Sequence, residues 1–213
     1  MEFGSLVRYV SDLPWFDLAT VVQLSGEKRA SIITQLSRWT EAEKVISLRR
    51  GMYVLGENYQ KRALQPASLA NALYAPSYLS GLFALSFYGI IPESVPVFTS
   101  VTTRTPKTFE NRFGTFEYRN IKRDLFFDYK TILMTGQNVR MAMPEKALVD
   151  HWHLSRGEWT ASRLEALRIS PESPLDMSIL AEVVSRFDKG RISRAHRRLA
   201  ALLRDEKEGL VEI

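Results

Sequence analysis

Five residues between positions 28 and 38 have the types and spacing to read a nucleic acid. Projected at about 100° per residue on a helix starting near Glu27, Ser31, Thr34 and Arg38 share one arc, with Lys28 and Gln35 on its flank. Hydroxyl, amide and guanidinium groups on one helix side can bond base edges in a major groove and the phosphates beside it. Ile32, Ile33, Leu36 and Trp39 fall within about 120° of one another and form the stripe expected to pack inward. Arg29 projects toward that apolar stripe, but a long side chain in the first turn still reaches solvent, so it is a weaker member. Further on, Arg49-Arg50-Gly51 stands between Lys44-Val45-Ile46-Ser47-Leu48 and Met52-Tyr53-Val54-Leu55. Two β-rich runs around a basic turn make a hairpin, with Arg49 and Arg50 placed for phosphate or minor-groove contact. Residues 27–50 hold six basic and three acidic side chains, and Glu41 and Glu43 work against a strongly anionic partner.

The elements that must position these groups follow from the flanking pattern. Leu18, Val21, Val22 and Leu24 make one face of a short helix, and Ser25-Gly26 makes a tight turn before the next. A short helix, a turn with glycine and a longer helix have helix-turn-helix spacing, and the hairpin would be the wing of a winged helix. Residues 1–56 are therefore expected to form a winged helix-turn-helix domain. The polar stretch 56–65 is the expected boundary. A second domain, 66–213, has a mixed pattern: helices at 66–73 and from Ser77 to Gly89, and strands at 95–103, 113–118 and 130–134. Helices at 144–154, 160–168, 175–187 and 192–207 complete it. The fold class is α+β: a winged helix-turn-helix, then a mixed α/β domain with a small central sheet and C-terminal helices.

Within the second domain a series of motifs is distinctive as a set. Tyr78-Leu79-Ser80-Gly81 is followed by Ala84-Leu85-Ser86-Phe87-Tyr88-Gly89-Ile90-Ile91-Pro92-Glu93, then by Thr99-Ser100-Val101-Thr102-Thr103-Arg104. Phe113-Gly114-Thr115-Phe116-Glu117-Tyr118-Arg119 and Pro144-Glu145-Lys146-Ala147-Leu148-Val149-Asp150 complete it. In order and spacing the series resembles the AbiEi family of antitoxins, from bacterial type IV toxin–antitoxin and abortive-infection systems. With the preceding winged helix the resemblance covers roughly residues 17–155. It implies a winged helix that binds double-stranded DNA at inverted repeats in its own promoter and represses the operon. It also implies a larger domain that counteracts a nucleotidyltransferase-like toxin without a stable complex. On repeats the protein would act as a monomer or weak dimer, and its setting would be cytoplasmic. Without the family, Thr102, Thr103, Arg104 and Arg119 are the polar exceptions among core-like residues. They either form a partner patch or satisfy Glu117 and Asp150 internally.

A second cationic stretch lies near the end of the chain. Between Lys189 and Arg204 there are six basic residues and no acidic one. Ile192, Ala195, Leu199, Leu202 and Leu203 project to one side of a helix, and Arg191, Arg194, Arg197, Arg198 and Arg204 to the other. The readings are a solvated face, a second nucleic-acid surface or, without Trp or Phe among its apolar residues, least of all a membrane-surface helix.

Other functions lack their residues. The 213-residue chain has no cysteine, which removes thiol catalysis and cysteine-ligated metals. It has no Gly-x-Gly and no Gly-x-Ser-x-Gly, so dinucleotide, phosphate-loop and hydrolase-elbow signatures are missing. His151 and His153 stand two apart on an expected helix and point apart. Asp124 and Asp128, with Glu117, are the only hint of a metal-dependent nuclease, and no cofactor is expected. A protein-interaction module using the winged helix as scaffold is the other alternative. The net charge of +5 and pI near 9.5 permit nucleic-acid binding without demanding it. No apolar run reaches the roughly 20 residues of a membrane span, and the start lacks a secretory-signal pattern.

Overall fold

The computed structural model describes residues 1–211 and shows a mixed α+β protein with a three-stranded and a six-stranded sheet. The first unit begins with α1 (Phe3–Val10), which buries Leu6 and Val10. A short strand β1 (Phe16–Asp17) leads into α2 (Leu18–Ser25), which Asp17 caps by accepting a hydrogen bond from the Thr20 amide at 2.7 Å. Gly26 ends α2 at φ 68°, a left-handed conformation free of Cβ strain only in glycine. Then come α3 (Arg29–Glu41) and an antiparallel hairpin of β2 (Val45–Arg49) and β3 (Met52–Leu55). β1 pairs with the outer edge of β3, so the sheet order is β1-β3-β2.

This hairpin has two apolar faces. Tyr53 and Leu55 join the three helices in a small core built on Leu6, Phe16, Val21, Ile32 and Leu36. Ile46, Leu48, Met52 and Val54 belong instead to the core of the larger unit. The alternation of side chains along a strand produces that division. Residues 56–65 thus link two units in sequence while packing runs across them. The linker is itself fastened: Gln137 accepts from the Gln65 amide at 3.2 Å and donates to the Ala63 carbonyl at 2.8 Å.

The larger unit begins with α4 (Pro66–Leu73), opened by its proline. β4 (Ser77–Leu79), α5 (Gly81–Phe87), β5 (Phe98–Thr102), β6 (Lys107–Asn111), β7 (Gly114–Asn120), β8 (Tyr129–Met134) and β9 (Gln137–Ala142) follow. Then come α6 (Pro144–Leu154), α7 (Ala161–Glu165), α8 (Met177–Ser185) and α9 (Gly190–Val211). The sheet runs β6-β7-β5-β4-β9-β8, with parallel pairing at β7/β5 and β4/β9 and antiparallel pairing elsewhere. Register aligns Tyr78, Val101 and Arg119 on one face and Leu79, Ser100 and Tyr118 on the other. α4 covers the second face, where the Tyr118 hydroxyl donates to the Ala70 carbonyl at 2.5 Å; α6 covers part of the first through Tyr78.

Three features differ from the sequence pattern. Ser77–Leu79 is a strand, not the start of a helix, and α5 begins only at Gly81. All three strand residues are buried, and a short apolar run of that kind has no period to tell a central strand from a helix. β6 and β9 were not expected, because their charged and amide residues mask any strand signal. The sheet is accordingly broader than the small one anticipated. The expected second domain, 66–213, is described to residue 211.

Candidate nucleic-acid interface

On α3, Ile32 and Leu36 are fully buried, while Trp39 and Gln35 are half-buried. Ala30, Ser31, Thr34, Ser37 and Arg38 are exposed, as are Lys28 at the N-cap position and Arg29 in the first turn. Ile33 is 46% exposed and so does not join the inward stripe. The buried arc centres between Ile32 and Leu36, and Ile33 lies about 100° from Ile32 around the helix. The exposed side therefore mixes hydroxyls, two guanidinium groups and two apolar groups, Ala30 and Ile33. Ile33 and Ala30 are exposed residues that the sequence pattern did not place on the open face; only the phase of the buried arc distinguishes them.

Gln35 is turned inward. Its amide donates to Glu27 at 3.1 Å, and its own side-chain oxygen is buried without a partner. Glu27 also pairs with the Met1 amino group, and these contacts hold its carboxyl below the usual range. Gln35 therefore belongs to the frame under the helix, not to the open face where sequence placed it.

At the hairpin tip, Gly51 takes φ 76°, which lets the chain reverse directly after Arg49 and Arg50. Both arginines are exposed, and Arg49 Nη1 donates only to the Arg50 carbonyl, at 3.4 Å. A groove of about 360 Å³ separates this tip from the larger unit, and Arg104 and Lys107 line its far side. Arg104 sits 4.2 Å over the Tyr74 ring and donates to the Ala75 carbonyl at 3.1 Å; Lys107 Nζ stands 4.9 Å from the Phe109 ring. These rings hold the cations in place without neutralising them. No carboxylate lines the groove, and among the described residues none of the four cations has a carboxylate partner. Like charges so gathered favour an anion between them. Lys107 carries no sequence signal of its own; only β6 pairing with β7 brings it here.

The four polar exceptions of the larger unit do not form one patch. Thr102 is fully buried and donates to the Pro76 carbonyl at 2.7 Å. Thr103 is half-buried, and Arg104 belongs to the hairpin-tip groove. Arg119 lies on the opposite sheet face, 3.4 Å from Glu117. Of the expected internal pairings only Arg119 with Glu117 is present; Thr102 bonds a carbonyl instead, Asp150 is met by Lys146, Tyr78 and Ser80, and the four residues do not share one surface.

The α9 arginines are largely spent inside the molecule. Arg191 donates to the carbonyls of His153, Ser155 and Gly157, closing the C-terminal end of α6. Arg194 forms a two-point pair with Glu158, and Arg198 donates to the Trp159 carbonyl at 2.7 Å. Arg197 and Arg204 are exposed. Of the five, Arg197 and Arg204 alone are without a bond among the described residues, while Glu158 partly offsets the charge of Arg194 and Arg198.

Two of the motif segments meet in a buried polar cluster. On α6, Lys146 and Asp150 form an ion pair with neither side chain exposed. Asp150 also accepts from Tyr78 at 3.1 Å and Ser80 at 2.8 Å, and Lys146 donates to the Tyr78 hydroxyl at 2.8 Å. Burial pulls both charged groups toward neutrality, and the mutual attraction opposes it. Every partner is supplied locally, so the cluster pins α6 to β4. Burial also pushes His151 and His153 down to about 4, aided by Arg163 at the first and by Lys189, Arg191, Lys146 and Lys122 at the second. Among the described residues no three His, Asp or Glu side chains are placed to hold a metal ion, and no helix is long and apolar enough to cross a membrane.

No family model matches the chain, and no curated protein matches it.

Proposed function

We propose that this protein is a DNA-binding transcriptional regulator in which residues 1–56 act as a winged helix. The order α1-β1-α2-α3-β2-β3 is the one such a unit uses, and α3 is its recognition helix. One observation carries the reading: an open, carboxylate-free face of α3 between Lys28 and Arg38 occurs together with four cations around the hairpin-tip groove that have no carboxylate partner among the described residues. Ser31, Thr34 and Arg38 would bond base edges, and Ala30 and Ile33 would meet thymine methyls. Lys28, Arg29, Arg49 and Arg50, joined by Arg104 and Lys107, would sit on phosphates. Wing and larger unit would thus grip the same backbone.

The test is anisotropy of a labelled duplex from the region upstream of the gene, titrated across a salt series. Replacing Arg49 and Arg50 by Ala should lower the salt slope by about 1.8, since each lost phosphate contact removes about 0.9. Equal affinity and slope in wild type and variant would overturn the wing assignment. The antitoxin role rests on the motif series, which resembles the AbiEi family. Its partner would be a nucleotidyltransferase-like toxin encoded alongside, neutralised without a lasting complex. Co-expression with that neighbour should restore growth; toxicity undiminished by this protein would refute the role.

A further inference from the structure

We infer that the cleft between Trp15 and the β8–β9 hairpin binds a phosphorylated nucleoside. The cleft, about 560 Å³, opens where Pro14 and Trp15 of the first unit meet α4 and the turn at Gly136. That volume lies within the range of small-molecule sites. Trp15 packs against the larger core while lining the cleft, so its indole is a fixed wall suited to a planar base. Arg62 and Arg140 also line it, and among the described residues neither has a carboxylate partner. Among the described residues no carboxylate lines the cleft. The clefts at β5/β7, α7/α9 and the base of the first hairpin carry Glu117, Glu165 with Glu206, and Glu43 with Glu57, respectively.

The polar groups divide into frame and free. Asn71 is used up by the Arg140 backbone, donating to its carbonyl at 3.2 Å and accepting from its amide at 2.6 Å. Gln137 is used up by Ser68, Gln65 and Ala63. These bonds hold the walls rigid, which lowers the ordering cost of binding. Thr131 and Asn138 are exposed and make no side-chain hydrogen bond among the described residues. An aromatic wall, free amide and hydroxyl groups and two unpaired guanidinium groups match base, sugar and phosphate in turn. The inference is independent of duplex binding.

Calorimetry of the full chain with adenosine and guanosine 5′-monophosphate, without DNA, tests it. At least one should bind about tenfold tighter than ribose 5-phosphate or its unphosphorylated nucleoside. Binding should change tryptophan fluorescence in the wild type and not in Trp15→Phe. Arg62→Ala should weaken binding about tenfold. Arg62 is exposed and makes no side-chain bond among the described residues, so an unchanged melting curve verifies its fold. Absence of saturable binding by both nucleotides, equal binding of ribose 5-phosphate, or unchanged affinity in Arg62→Ala would overturn the site. Because no duplex is present, failure here leaves the regulator reading standing, and the reverse also holds.

Discussion

Two helices of this molecule are amphipathic, each setting an apolar stripe against polar and cationic side chains, and have opposite fates. On α9, three of the arginines face the end of α6 and Glu158, and they bond carbonyls or that carboxylate. On α3, Ser31, Thr34 and Arg38 are exposed, and among the described residues none of them bonds another element. The difference lies in what the fold places opposite each helix. A cationic face thus becomes a ligand surface only where no helix C-terminus or acid reaches it first.

Removing Arg191 should break the comparison most sharply. Its three carbonyl bonds are charge-assisted, so Arg191→Ala should cost about 1.5–3 kcal/mol of stability in denaturant unfolding, with duplex affinity unchanged. Weaker duplex binding by a stably folded Arg191→Ala would return α9 to the interface. Changing Arg49 and Arg50 to Ala should do the reverse. We expect duplex affinity to fall about tenfold or more at low salt, with stability held within about 0.5 kcal/mol.

Acid should distinguish the two regions next. His151 and His153 have folded values near 4, below their ordinary 6.5, so the unfolded chain binds protons first. Their contribution to stability is full above about pH 6.5 and is lost as pH falls toward about 4. Thermal midpoints measured across that window should drop, and the decline should be shallower in a His151→Gln, His153→Gln double variant. α3 carries no histidine and adds nothing to this slope.

A subtler contrast lies within α3. Gln35→Ala should lower the melting temperature, since it removes one of the two partners of Glu27, and should leave base preference intact. Ser31→Ala and Thr34→Ala should alter preference between duplexes with little change in melting. Binding to a panel of single-base operator variants checks both. The smallest effect is expected at Arg197, exposed and without a bond among the described residues: Arg197→Ala should change neither stability nor affinity measurably.

The parts of this architecture that were legible in the sequence are those with local causes. The helix pair α2 and α3 and the hairpin announce themselves through the Ser25-Gly26 turn, Gly51 and the flanking β-rich runs. Pro66 and Pro144 mark the starts of α4 and α6 as expected. What could not be read depends on distant chain. The carbonyls that take up Arg191 lie 34–38 residues away in sequence, and Lys107 reaches Arg49 only through sheet order. Asp150 gave no hint that Tyr78 and Ser80, some seventy residues earlier, would complete it. Ile33 failed for a simpler reason. It stands at the edge of the projected apolar stripe, and the arc that is actually buried closes before reaching it.

The two-faced hairpin also decides how the molecule can be dissected. A fragment ending near residue 56 would present Ile46, Leu48, Met52 and Val54 to water, since their packing partners lie beyond the cut. A larger piece begun at residue 66 would show the complementary bare patch. Genetic truncations at this seam would therefore report insolubility and mistake it for loss of activity. Separation of roles is better sought with point changes at Arg49 or Arg62 in the intact chain.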